Sequence, residues 1–119
     1  MCPMKYQMNI GWHTNSVLIS VFRQDASVQI TVGGIDMGQG MHTRCAQVAA
    51  NIFDIPLSMV SVRPPTTDVN ANSSPTGGTV TSHVAMRLIQ KAAKKLLKRL
   101  EPFKKELDET EDGMLKIYF

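Results

Sequence analysis

The chain has 119 residues, of which 43% are hydrophobic and 19% are charged. This length accommodates one compact domain, and the composition is typical of globular proteins rather than disordered or collagen-like ones. No segment approaches the roughly 18 consecutive apolar residues of a transmembrane helix. The first residues also lack the basic and apolar regions of a secretory signal. Two cysteines cannot build a disulfide framework, and we therefore expect a cytoplasmic protein without membrane contacts.

The net charge of +3 is concentrated near the end of the chain. Residues 1–86 contain four basic and four acidic side chains, whereas residues 87–119 contain nine basic and six acidic ones. Such a segment is either the solvated face of a helix or a surface that binds a polyanion. A non-catalytic interaction protein acting through residues 87–105 is therefore one candidate function. Nucleic-acid binding is disfavoured because Phe103 is the lone aromatic residue nearby.

The pattern of apolar residues predicts an antiparallel hairpin near the start of the chain. Residues 17–22 and 28–32 are rich in β-branched side chains, and residues 23–27 between them have turn composition. Strict alternation in the second strand places Val28, Ile30 and Val32 on one face.

Two helices and a third strand are predicted after the hairpin. Apolar residues recur at helical spacing after Thr43, the predicted N-cap, and continue towards Pro56. Residues 59–62 form a short strand. A longer amphipathic helix begins within residues 79–82 and ends at Pro102. This order predicts an α+β fold, with a β-hairpin and a further strand packed against two helices.

The first of two glycine-rich turns covers residues 33–40 and contains four glycines in eight residues. Glycines let the backbone approach a ligand closely, and successive N–H groups in such turns form anion-binding concavities. The following helix start adds further N–H donors and a partial positive charge. Gln39 offers both a hydrogen-bond donor and an acceptor to a polar heterocycle.

The second turn, residues 74–82, repeats this arrangement at the start of the second helix. Two glycines precede three hydroxyl residues, Thr79, Thr81 and Ser82. Each hydroxyl either caps the helix or binds a ligand oxygen. Together the two turns indicate a site for a phosphorylated anionic ligand. The nucleotide motifs G-x-G-x-x-G and G-x-x-x-x-G-K-[ST] are both missing from the sequence.

Other chemically active residues have simpler interpretations. His42 has no second ligand at metal-binding spacing and is interpreted as part of a helix start. His13 and His83 are weaker candidates still. Asp36 is expected to be a turn residue, and Cys45 a small core residue. No catalytic and no metal-binding residue is predicted.

Three separated blocks carry a family resemblance: GGIDMGQGMHTRCAQVAA at 33–50, FDIP at 53–56 and NSSPTGGTVTS at 72–82. They resemble the molybdenum hydroxylases, the family of aldehyde oxidases and xanthine dehydrogenases, and most of all the aldehyde oxidases of insects. The similarity extends from the start of the chain to LLKRLEPFKK at 96–105. It implies a partial molybdopterin-binding domain over residues 1–105, followed by a divergent, disordered tail over residues 106–119.

The resemblance also implies which residues contact molybdopterin, a pterin that carries a dithiolene and a terminal phosphate. These are Met37, Gly38 and Gln39 in the first turn, and Gly78, Thr79, Val80 and Thr81 in the second.

In this family the implied reaction is the oxidative hydroxylation of aldehydes or N-heterocycles. Water supplies the oxygen, and electrons leave through 2Fe–2S clusters to FAD. The sequence contains no iron–sulfur cysteine cluster, flavin domain or counterpart of the family's glutamate base, and His83 stands where the family often has an acidic residue. We therefore expect a fragment that is inactive alone, with the remainder of the enzyme or its homodimer as its partner.

Overall fold

The computed structural model describes residues 15–71 and 73–109, with side chains up to residue 102. Three strands form one mixed sheet in the order β1 (Val17–Val21), β2 (Val28–Val32) and β3 (Val60–Arg63). Two helices, α1 (Met41–Phe53) and α2 (Thr81–Glu109), pack against this sheet. The predicted α+β fold is confirmed. Cys2 and His13 lie outside the described residues.

The strand pairing explains where the two turns lie. β1 pairs antiparallel with β2, with Val17 opposite Val32. β2 pairs in parallel with β3, and a parallel neighbour requires a crossover, which α1 provides. The first glycine-rich turn therefore follows the carboxyl end of β2, the edge where ligands commonly bind in βαβ units.

One face of the sheet is buried against the helices. Val28, Ile30 and Val32 are at most 3% exposed, as the alternation predicts, but Thr31 on the other face of β2 is also buried, at 5% exposed. Leu18, on the opposite face of β1, is 48% exposed. The helices contribute small side chains that are fully buried, so both approach the sheet closely: Cys45 and Ala49 from α1, and Ala85 and Ala93 from α2.

Two predicted helix boundaries are wrong. α1 begins at Met41, and its N-cap is Gly40, which has a left-handed φ of 71°. Thr43 is therefore not the N-cap but lies inside the first turn of the helix. α2 does not end at Pro102 but continues to Glu109. A proline in a helix interior removes one N–H bond and clashes with the carbonyl group four residues earlier, and the surrounding Lys, Glu and Leu residues are good helix formers that offset this cost. The predicted division at residue 106 stays a prediction, since residues 110–119 lie outside the described part.

The long polar segment before α2 is held to the start of the sheet by hydrogen bonds. Asn70 is 3% exposed, and its Nδ2 donates to the carbonyl oxygen and the Oγ of Ser16 at 3.1 and 2.9 Å. Its backbone N–H donates to the Thr66 carbonyl at 2.7 Å. Ser73 Oγ donates to the Asn70 carbonyl oxygen at 3.1 Å. These bonds hold the segment that leads to the second turn against the start of β1.

Among the described helices, none combines the length and the apolar character needed to cross a bilayer.

Candidate functional site

The two glycine-rich turns are in direct contact. The Ile35 N–H donates to Thr76 Oγ1 at 2.7 Å, joining residues that are 41 positions apart in the sequence. Gly34 packs against Thr81 so closely that a Cβ at Gly34 would lie 2.8 Å from Thr81 Cγ2. The fold thus brings the two predicted ligand-binding segments together at one end of the sheet.

A cavity of about 410 Å³ lies between the two turns. Residues of the first turn and α1 line one part of it, and residues of the second turn and α2 line the rest. No acidic side chain is among them, whereas one arginine and one histidine are. The lining residues are Met37, Gln39, Arg44, Thr76, Gly77, Thr79, Thr81, Ser82 and His83.

Four of the seven predicted molybdopterin contacts line this cavity: Met37, Gln39, Thr79 and Thr81. Gly38, Gly78 and Val80 do not line it. Val80 is 6% exposed, and its N–H donates to the Gly77 carbonyl at 3.4 Å. Gly38 and Gly78 have φ values of 101° and 61°, so both shape the path of the turns. A direct cofactor contact for each of the seven stays a prediction.

The anion-binding concavity of the first turn is filled by the protein's own Asp36 carboxylate. Its Oδ1 accepts the N–H groups of Gly38 and Gly40 at 3.0 and 3.2 Å, and its Oδ2 accepts that of His42 at 3.0 Å. The hydrogen bond from His42 is the main cause of the lowered pKa of Asp36. Asp36 is therefore the turn residue that the sequence predicts, and it also supplies the negative charge favoured at the start of α1.

Gln39 braces the same turn. Its Oε1 accepts the Met37 N–H at 2.6 Å, and its Nε2 donates to the Ile35 carbonyl oxygen at 2.8 Å. A glutamine amide has two N–H donors and two acceptor lone pairs. One donor and one lone pair therefore remain for a ligand in the cavity, and the side chain is already held in place.

Asp36→Asn is expected to lower the thermal unfolding midpoint at neutral pH, because it removes the charge that three N–H groups share. The folded-state pKa of Asp36 is depressed, so its stabilisation is present above the unfolded-state pKa and is lost as pH falls through the folded-state pKa. The difference between wild type and variant should therefore shrink in acid. Thermal melts between neutral pH and acid measure this.

Asp25→Asn is the matched control for this variant. Asp25 also has a lowered pKa, caused first by the Ser27 N–H, but it lies in the hairpin turn. Amide exchange should accelerate at Gly38, Gly40 and His42 only in the Asp36 variant. Equal protection of these amides in both variants would contradict the capping role of Asp36.

The second turn differs from the first because it has open donors. Gly78 and Thr79 both have a φ of 61°, a left-handed conformation that is uncommon for threonine. Gly77 N–H is bonded to Thr81 Oγ1 at 3.2 Å. The N–H groups of Gly78 and Thr79, by contrast, have no hydrogen-bond partner among residues 15–71 and 73–109. A ligand contact of these two backbone donors stays a prediction.

The remaining candidate side chains lie outside the cavity. Met41 is fully buried and is therefore a packing residue, unlike Met37 of the cavity, which is 69% exposed. Cys45 is buried, and burial raises the pKa of its thiol to about 11, so it is a neutral core residue. His42 does not line the cavity. Within the described residues, no group of three His, Cys, Asp or Glu side chains is placed to hold a metal ion.

Arg44 and His83 line the cavity, although Arg44 was not among the predicted site residues and His83 was only a weak candidate. Arg44 lies four residues after Gly40, so on α1 it is one helical turn beyond the glycine-rich segment. His83 lies in the first turn of α2. A basic residue near the start of the helix that follows a glycine-rich turn was the signal available.

The described residues form an α+β segment in which the first turn is internally capped and the second has N–H groups without a partner in the described part of the chain. Residues 1–117 match the molybdopterin cofactor-binding domain. The chain belongs to this family, in agreement with the resemblance of its glycine-rich blocks.

Relatives of both enzyme types are found. The chain is 42% identical over 82 residues to the xanthine dehydrogenase/oxidase of Felis catus, covering 69% of this chain and 6% of that protein. It is 36% identical over 105 residues to aldehyde oxidase 1 of Bos taurus, covering 86% and 8%. For xanthine dehydrogenase 1 of Arabidopsis thaliana the identity is 44% over 78 residues, covering 66% and 6%. The chain thus spans less than a tenth of the length of these relatives.

Proposed function

We propose that this chain supplies part of the molybdopterin cradle of a molybdenum hydroxylase. The observation that carries the proposal is the cavity between the two turns. It is lined by Met37 and Gln39 of the first turn and by Thr79 of the second, whose N–H has no partner among the described residues. The chain covers a small part of its relatives, so the cradle is completed by other segments of the enzyme.

The residues present fit the chemistry of this cofactor. Gln39 has one spare donor and one spare acceptor for the heteroatoms of a pterin. The exposed thioether of Met37 is a soft, polarisable contact for a flat ring. The N–H and hydroxyl groups of Thr79 make no hydrogen bond with the described residues and suit an anionic oxygen, whereas the Thr81 hydroxyl group is bonded to Gly77.

When bound, the molybdenum cofactor supplies the redox chemistry for hydroxylating an aldehyde or an N-heterocycle with oxygen from water. The residues of this chain bind and orient the cofactor, and none acts as a catalytic acid or base. The base, the iron–sulfur clusters and FAD belong to other parts of the enzyme, or of its homodimer. The isolated chain is therefore inactive towards the small-molecule substrate, and the cytoplasm is its expected location.

The parent enzyme is assigned to the aldehyde oxidase/xanthine dehydrogenase type as a whole. The similarity to the bovine aldehyde oxidase is longer, at 36% identity over 105 residues, whereas that to the feline xanthine dehydrogenase/oxidase is higher, at 42% over 82 residues. The particular likeness to insect aldehyde oxidases stays a prediction from the sequence blocks.

Cofactor retention tests the proposal. The full 119-residue chain is produced in a host that makes molybdopterin, and the pterin that co-purifies is oxidised to a fluorescent derivative and quantified. We expect retention in the wild type and a loss of about tenfold or more in Gln39→Met, whose matched control is Gln24→Met in the exposed hairpin turn. A folded wild-type chain that retains no pterin, even with the neighbouring segments of the enzyme supplied, would refute the assignment.

The basic surface of α2 supports the alternative function. Lys91, Lys94, Lys95, Lys98 and Arg99 are all exposed, and no acidic residue lies between positions 91 and 99. The same arrangement suits a solvated helix face, so polyanion binding stays a prediction. It requires an affinity for heparin or duplex DNA that falls steeply with added salt.

A further inference from the structure

We propose that Arg44 and His83 bind a phosphate monoester in the cavity, on the side of the second turn. This inference rests on the proposed cofactor-binding function and deepens it, because it places the ligand's phosphate and adds two residues to the site. It distinguishes between the two turns, both of which the sequence predicts to be anion-binding.

The first turn is closed to a phosphate. Three of its N–H groups, those of Gly38, Gly40 and His42, already donate to the carboxylate of Asp36. A fourth, the N–H of Met37, donates to Gln39 Oε1. A phosphate placed there would find these four donors occupied and would be repelled by the adjacent Asp36 carboxylate charge.

The second turn has unoccupied donors. The N–H groups of Gly78 and Thr79 have no partner within the described residues, and the Thr79 hydroxyl group is exposed. Thr81 Oγ1, by contrast, is bonded to Gly77. Thr79, which lines the cavity, and the adjacent Gly78 therefore offer donors that a phosphate can bind without breaking a bond to a described residue.

The basic side chains that line the cavity also favour a phosphate. Arg44 comes from α1 and His83 from α2, so basic side chains of two separate elements line one space that contains no acidic side chain. Both are exposed, and the Arg44 guanidinium makes no ion pair or hydrogen bond with the part of the chain that the structure describes. A guanidinium group binds two phosphate oxygens at once, and an imidazole N–H donates to a third.

Two small ligands test the roles of Arg44 and His83 in the full chain: 6-hydroxymethylpterin and its phosphate monoester. Arg44→Met is expected to weaken binding of the ester about tenfold or more, and His83→Gln about threefold to tenfold, because each removes a charge-assisted or neutral hydrogen bond to phosphate. Binding of unphosphorylated 6-hydroxymethylpterin should change less than about twofold in both variants. Titration calorimetry measures both affinities.

Arg87→Met is the matched control, because Arg87 lies one helical turn beyond His83, is exposed, and does not line the cavity. It should leave both affinities unchanged within about twofold. The inference is overturned if Arg44→Met weakens the ester no more than Arg87→Met does, or if it weakens both probes equally.

Inorganic phosphate separates a failure of this inference from a failure of the proposed function. If the wild type binds neither pterin, the cofactor assignment fails, and the phosphate site is then judged by NMR titration with inorganic phosphate alone. Shifts of the Gly78 and Thr79 amides that disappear in Arg44→Met support the site. Wild-type amides that do not respond to phosphate overturn it.

Discussion

Gly34→Ala is expected to destabilise the chain by about 3 kcal/mol and to separate the two turns, because it combines backbone strain with overpacking. The φ of Gly34 is 108°, a conformation that alanine rarely adopts. The added Cβ would also lie 2.8 Å from Thr81 Cγ2 and 3.5 Å from Met41 Cε. Thr81 is 3% exposed and Met41 is fully buried, so neither can move away freely.

Substitutions of two other glycines separate the cost of backbone strain from the cost of overpacking. Gly38 has a φ of 101° but no atom within 4 Å of an added Cβ, so Gly38→Ala should cost only the strain, about 1–2 kcal/mol. Gly77 has neither a positive φ nor a close neighbour, so Gly77→Ala should change stability by less than about 0.5 kcal/mol or slightly increase it. Urea unfolding of the three variants gives the free energies. If Gly34→Ala and Gly38→Ala cost the same, the turns are not packed against each other in solution.

The hairpin and the buried face of β2 were predictable because their signal is local. A strand has a two-residue period, so the alternation of Val28, Ile30 and Val32 identifies the face that packs against the helices. Glycine clusters interrupt helices and strands wherever they occur, and they marked both segments of the candidate site.

The contact between the two turns was not predictable from composition or spacing. Ile35 and Thr76 are 41 residues apart, and only the packing of α2 against α1 and β1 brings them within hydrogen-bonding distance. That the Asp36 carboxylate occupies the N–H groups of the first turn was not predictable for a different reason. Thr and Asp are both favourable N-cap residues, so either Thr43 or Asp36 could accept the first N–H groups of α1. The backbone conformation at Gly38 and Gly40 decides for Asp36, which accepts the N–H groups of Gly40 and His42. The extent of α2 was not predicted because the helix formers on both sides of Pro102 outweigh the lost hydrogen bond and the steric clash that this proline introduces.

Ile30→Ala is expected to lower the free energy of unfolding by about 3–4 kcal/mol, because it leaves a cavity in the middle of the core. Ile30 is fully buried on the central strand, between Ile19 of β1 and Val62 of β3. For a domain of this size the loss is a large part of the total stability, which is about 5–15 kcal/mol. Urea unfolding at constant m-value measures it.

Leu18→Ala is the matched control on the opposite face of the sheet. Leu18 is 48% exposed, so its truncation removes little buried surface and should cost less than about 1 kcal/mol in the isolated chain. A cost equal to that of Ile30→Ala would mean that the outer face is covered, for instance by a second copy of the chain, and the midpoint would then depend on protein concentration. If the cost of Leu18→Ala rises only when the remaining enzyme segments are added, this face packs against them in the complete hydroxylase.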